Sequence, residues 1–157
     1  MIKEIYIEEA ITDSLVKVLD NLVYNRLVIP FNSSASQDAE QTNNLSRNQY
    51  LNPILRNIID EINFEKALYY RWFHMISYNH QGYQQKHDHK DTEDYSYILY
   101  LNSCTTGGET FFEMPNEKIV CVTPVKNKLI FFPSHFTHWG GRVVDSKKVA
   151  VGALISQ

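Results

Sequence analysis

The sequence predicts a mainly β domain, a sandwich or barrel backed by helices at its N-terminal end. Three observations carry this reading. Short β-rich runs punctuated by turn signals fill the chain after Asn63. Two helical periodicities precede them and none of comparable length follows. Ten Tyr, eight Phe and two Trp among 157 residues suit strands and a lined pocket better than a helical bundle.

The elements follow in order. From Glu8 to Leu22, Ala10, Ile11, Leu15, Val16, Val18, Leu19 and Leu22 mostly fit one helical stripe, with Thr12-Asp13-Ser14 available as an alternative cap. Phe31 to Arg47 is almost free of large apolar residues and reads as a long loop, either a solvated connector or a lid over a site. Leu51, Ile54, Leu55, Ile58, Ile59 and Ile62 then define one apolar helical face, with Pro53 tolerated only in the first turn. Strands are expected at Ala67–Tyr78, Tyr95–Leu101, Glu109–Phe112, Lys118–Val122, Lys128–Phe132 and Lys148–Ile155. No repeat and no second domain is visible. The expected organisation is one domain over 1–157, with helical support in 1–65 and a β core in 66–157.

Composition narrows the function classes. Hydrophobic residues at 43% and charged residues at 21% belong to a soluble globular fold rather than a disordered chain. A net charge of −3 disfavours nucleic acid and anionic membranes as partners. No apolar run approaches the roughly 18 residues of a membrane span. MIKEIYIEEA lacks the features of a secretory signal, so a cytoplasmic location is expected. Cys104 and Cys121 form no CxxC pair, which argues against a disulfide scaffold or a thiolate zinc site.

The histidines carry the chemistry. His87 and His89 lie in QQKHDHKD, before the run YSYILYLN, and His135 and His138 lie in FPSHFTHWGG, after KLIFF. Alternate side chains of an extended segment share a face, so His87, His89 and Asp91 point together if the strand continues. Two imidazoles and a carboxylate drawn from these and His138 make a set that suits non-haem Fe(II) with open coordination positions; zinc is the competing ion. Each cluster alone reads as a solvated loop, and their placement at the ends of separate strand patterns is what favours a metal.

From Tyr69 to Ile155 the chain resembles the Fe(II)- and 2-oxoglutarate-dependent oxygenases, in particular their prolyl-4-hydroxylase-like branch. The likeness rests on ordered pieces: Tyr78 with Gly82, His89-Lys90-Asp91, Tyr100-Leu101-Asn102, Gly107-Gly108-Glu109-Thr110 with Phe112, Pro124, Lys128 to Pro133, His138 and Lys147-Lys148. The resemblance implies a double-stranded β-helix, a jelly-roll, cupin-like core. It implies Fe(II) held by His89, Asp91 and His138, and 2-oxoglutarate held by Tyr100, Thr110 and a lysine nine or ten residues after His138. Lys148 is the favoured lysine, Lys147 the reserve and Arg142 a distant third. Counted from Tyr78, however, the family spacing lands on His87. That alternative register makes His87, His89 and His138 the ligands and leaves Asp91 outside.

The activity so implied is a dioxygenase that hydroxylates an unactivated C–H bond with O2, releasing succinate and CO2, with ascorbate as an accompanying reductant. A peptidyl proline leads as substrate, closely followed by small molecules, with Trp72, Tyr83, Phe136 and Trp139 as aromatic candidates near the mouth. The rival is a non-catalytic, cupin-like barrel that binds a metal or a small molecule.

Overall fold

A computed structural model describes residues 1–30 and 39–157. Among the described residues the chain runs from β1 (Lys3–Tyr6) through α1 (Glu9–Tyr24), β2 (Ile29–Pro30) and β3 (Ala39–Gln41) to α2 (Asn52–Ile62). Eight further strands follow: β4 (Leu68–Tyr78), β5 (Gln84–His87), β6 (Tyr95–Tyr100), β7 (Thr110–Glu113), β8 (Ile119–Val122), β9 (Lys128–Pro133), β10 (Thr137–Gly140) and β11 (Lys147–Ser156).

They form two antiparallel sheets. The larger has the order β1-β9-β6-β11-β4-β3-β2 and the smaller the order β5-β10-β7-β8. This is the double-stranded β-helix that the resemblance implies.

Both helices lie on the outer face of the larger sheet, as their apolar faces require. Ile11, Leu15 and Leu19 of α1 and Leu55, Ile58 and Ile62 of α2 are buried with Phe73, Met75, Tyr97, Leu99, Phe131 and Ala150. α1 begins at Glu9, so Thr12 lies within it and is buried rather than capping it. Pro53 falls in the first turn of α2, where its missing N–H costs no helical bond, and the helix stops at Asn63 in a left-handed conformation. A second apolar cluster, with Tyr78, Tyr100, Phe112, Ile130, Phe132 and Val149, lies on the inner side.

The period-two alternation of each central strand therefore sorts residues between two interiors. Tyr97 and Leu99 of β6 join the helix-side cluster, while Tyr100 joins the inner one. Close approach makes Gly152 obligatory: a Cβ there would lie 2.2 Å from Tyr97 Cε2. The Tyr97 hydroxyl pairs with that of Tyr70 at 2.9 Å, and the Tyr70 hydroxyl lies 3.0 Å from the Leu55 carbonyl. This ties β6, β4 and α2 together.

The six expected strands are present within a few residues of their expected bounds. Unexpected are β1, β2, β3, β5 and β10, and the first of these shows that the N-terminal segment supplies sheet as well as helices. The N-terminal half of the 31–47 loop expected as a connector or lid lies outside the described residues at 31–38. Ala39–Gln41 is strand, with Ala39 opposite Tyr78. Among the described residues no helix is long and apolar enough to cross a membrane.

Candidate metal and cosubstrate site

β5 and β10 are adjacent, and His87 and His138 are direct cross-strand partners. His89 lies two residues past the end of β5, its backbone N–H donating to the Ser134 carbonyl at 2.9 Å. One ligand atom from each of His87, His89 and His138 lies within 4.8 Å of the other two. Ring centroids are 4.2 Å apart for His87 and His138 and 4.8 Å for His87 and His89.

The local hydrogen bonds set the tautomers. The ring Nδ1 of His87 faces the Gln85 carbonyl at 2.7 Å, and that of His138 faces the Phe136 carbonyl at 3.1 Å. A carbonyl only accepts, so Nδ1 carries the proton and Nε2 keeps its lone pair, the state a metal ligand requires. His87 Nε2 is buried and has no hydrogen-bond partner among the described residues, an orphaned acceptor that a cation would satisfy. Burial lowers the pKa of all three rings, that of His138 to about 3, so they are held neutral. The donor set therefore fits a divalent ion.

Asp91 is not part of this group. The strand ends at His87, and the chain turns soon after it. The Thr92 and Glu93 N–H groups then donate back to the His89 carbonyl, and the Asp88 carboxylate accepts the Lys90 N–H at 3.3 Å. The resulting turn carries Asp91 out to an exposed position. Of the two ligand registers, the three-histidine one is brought together.

The lysine phase is likewise the reverse of the favoured one. Lys147 points inward with Val149 and Val151, and its Nζ donates to the Gly108 carbonyl at 3.1 Å and stands 4.7 Å from the centre of the Tyr78 ring. Lys148 points to the helical side and pairs with Asp20 of α1 at 2.7 Å. Burial lowers Lys147 to about 8. Arg142 lies outside, over Tyr83 at 4.5 Å.

Thr110 lines the same inner space as Lys147 and Tyr78, and its hydroxyl is hydrogen-bonded to that of Tyr100, which stands behind it. Gly107 and Gly108 both adopt left-handed conformations, φ 74° and 75°. A Cβ on Gly108 would meet Lys147 Cδ at 3.3 Å, so this turn makes room for the lysine. Tyr78 is the wall residue that sequence reasoning used only as a marker of spacing.

On the other side of the imidazoles opens a cavity of about 430 Å³, lined by Trp72, His74, Gln84, Asp88 and Glu93 among others. It shares Gln84, Ile98, His138 and Val151 with the Lys147 space. Of the aromatics expected near the mouth, Trp72 lines this cavity. Trp139 lines the smaller space and stacks on Phe111, and Phe136 is buried in the inner cluster.

Residues 73–155, more than half of the chain, match the model of the 2OG-Fe(II) oxygenase superfamily. The chain belongs to that superfamily. No curated relative matches it in sequence. Solved oxygenase structures share its fold at low identity. A Pseudomonas putida prolyl-4-hydroxylase is 12% identical with a TM-score of 0.73, over 99% of this chain and 92% of that one. A Trichoplax adhaerens prolyl hydroxylase, solved with a hypoxia inducible factor peptide fragment, is 15% identical with a TM-score of 0.74, over 97% and 82%. HygX from Streptomyces hygroscopicus, solved with nickel, 2-oxoglutarate and hygromycin B, is 8% identical with a TM-score of 0.76, over 98% and 82%. The superfamily assignment makes this chain a 2-oxoglutarate-dependent iron dioxygenase, with Fe(II) and 2-oxoglutarate as cofactors and O2 as co-substrate, and displaces the non-catalytic barrel.

Proposed function

We propose that His87, His89 and His138 hold the Fe(II), and that Lys147 holds the far carboxylate of 2-oxoglutarate in a space walled by Tyr78 and Thr110. The observation that carries this is the placement of three neutral imidazoles at one end of a space whose other end is a buried ammonium. The two cofactors together supply oxidation of a C–H bond by O2, with one oxygen atom entering the substrate and the other entering succinate as CO2 is lost.

The chain's own residues do the rest. Nδ1–H bonds to the Gln85 and Phe136 carbonyls hold two of the imidazoles in the orientation that presents Nε2. Lys147, packed against the Gly107-Gly108 turn, offers a point charge to a carboxylate in surroundings where such a contact is little screened. Ile98 and Val151 line the passage between and exclude water.

The substrate is a prolyl peptide or a small molecule, taken into the cavity beside Trp72. Relatives of this fold have been solved with each kind of ligand, a peptide fragment in one case and hygromycin B in the other. The test is incubation with Fe(II), 2-oxoglutarate, ascorbate and O2 against prolyl peptides and small molecules. Succinate formed in equal amount to a product that has gained one oxygen atom is the expected result. Succinate formation unaffected by His87→Ala, or independent of iron, would overturn the reading.

A further inference from the structure

Glu93 is a buried acid that the reading above leaves without a task. Its side chain is 3% exposed and lines the cavity beside the imidazoles. Both carboxylate oxygens are tethered: the Thr92 hydroxyl donates to Oε1, and the Ser96 hydroxyl donates to Oε2 at 3.0 Å. The backbone is fixed as well, because the Ser134 hydroxyl donates to the Glu93 carbonyl and the Glu93 N–H donates to the His89 carbonyl. The carboxylate is therefore held in a set place. The place is beside His89, with Oε1 at 3.8 Å from Nδ1.

That position fills a gap in a pattern. Nδ1 of His87 faces a carbonyl two residues back, and so does Nδ1 of His138. For His89 the acceptor on the Nδ1 side is the carboxylate of Glu93, one turn ahead in the chain. The separation is longer than a hydrogen bond, so the neutral ring meets the carboxylate through its Nδ1–H dipole. Burial pushes the Glu93 carboxyl above its usual range, and the Thr92 and Ser96 hydroxyls and the exposed Arg71, which lies over Trp72 at 5.1 Å, act against that rise.

We infer that Glu93 is a positioning residue for His89, and that it returns to the site, one step removed from the ion, the negative charge that a ligand set of three imidazoles lacks. The inference rests on the three-histidine reading. A carboxylate behind a ligating imidazole fixes the ring and strengthens it as a donor, and loss of such partners typically costs 10–100-fold in metal affinity.

The test is Co(II) titration of the metal-free protein, followed by the visible d–d absorption of the complex and by thermal melting without metal. Glu93→Gln keeps the side chain's shape and an oxygen for one hydroxyl donor, its NH2 donating to the other hydroxyl's oxygen, while removing the charge. It is expected to weaken Co(II) by roughly 10–100-fold and to shift the d–d bands, with the metal-free melting temperature essentially unmoved. Ser96→Ala removes a tether but no charge, and is expected to affect melting more than affinity. If Glu93→Gln does not fold, Glu93→Asp is measured instead: withdrawing the charge by one methylene is expected to weaken Co(II) at least threefold. Wild-type affinity and spectrum in the variant that folds would overturn the inference while leaving the triad intact. Failure of the wild-type protein to bind Co(II), or unchanged binding in His87→Ala, would overturn the triad and the inference with it.

Discussion

Replacing Lys147 by Met should make the cofactor-free protein more stable and its binding of 2-oxoglutarate much weaker. Burial lowers this lysine from 10.5 to about 8, a gap of two to three pH units. At about 1.4 kcal/mol per unit, holding the ammonium inside costs the folded state about 3 kcal/mol at pH 7. Methionine removes that cost but leaves the Gly108 carbonyl without the donor it has at 3.1 Å, worth about 1–2 kcal/mol. The net expectation at pH 7 is a gain of roughly 1–2 kcal/mol, or a few degrees in melting temperature for a chain of this size.

The pH dependence fixes the sign. Below pH 8 Lys147 is protonated both folded and unfolded, and the penalty is complete. Between about 8 and 10.5 only the unfolded chain holds the proton, so wild-type stability rises through this window relative to the variant. The variant's advantage should therefore shrink as the pH climbs. Losing a buried charge partner should weaken 2-oxoglutarate by about 2–5 kcal/mol, at least thirty-fold. Urea denaturation at pH 7 and 9.5, with calorimetric titration of 2-oxoglutarate into the Ni(II)-loaded protein, measures both. Lys148→Met, which gives up a half-exposed pair with Asp20, is the control and should change either quantity by less than about 1 kcal/mol. If Lys148→Met loses 2-oxoglutarate and Lys147→Met does not, the assignment of the inward lysine is wrong.

His87→Ala should lower Fe(II) or Co(II) affinity by about a hundred-fold or more, and Asp91→Ala should leave it within about twofold, as titration of the metal-free proteins will show. His138→Ala should behave like His87→Ala with the far-UV circular dichroism unchanged. Gly108→Ala forces a side chain into a left-handed backbone and against Lys147, so it should cost about 1–2 kcal/mol in urea unfolding and also weaken 2-oxoglutarate. Gly152→Ala drives a methyl into the Tyr97 ring and should destabilise the protein by about 2–3 kcal/mol while sparing metal affinity in whatever fraction folds.

Much of this molecule is legible in its residues, and the failures have physical causes. The apolar stripes of α1 and α2 and the six long β-rich runs stand out because each buries a face. β5 and β10 do not, because QQKH and THWG alternate no apolar face and are strands only through pairing with each other and with β7. β1 and β3 were hidden for the same reason, being short strands added to the larger sheet by partners far away in sequence. The lysine phase on β11 could not be read because both faces of that strand are buried, one against helices and one against the inner cluster, so Val149 and Ala150 look alike to a hydrophobic pattern. Asp91 was misleading in a different way. The rule that alternate residues share a face holds only while the chain stays extended, and Asp88 begins a turn that ends it. The spacing from Tyr78 to His87 is the one that agrees with the cluster of imidazoles.

The cross-strand pairing of His87 with His138 bears on more than chemistry. β5 is an outermost ribbon of its sheet, joined among the described residues through β10 alone, and such margins invite pairing with other chains. An ion gripped by both imidazoles would act as a rivet through that margin. Emptying the centre would then loosen the ribbon as well as stop turnover, with only the solvent-facing Gln85 and Lys86 left to discourage a stray strand from zipping on.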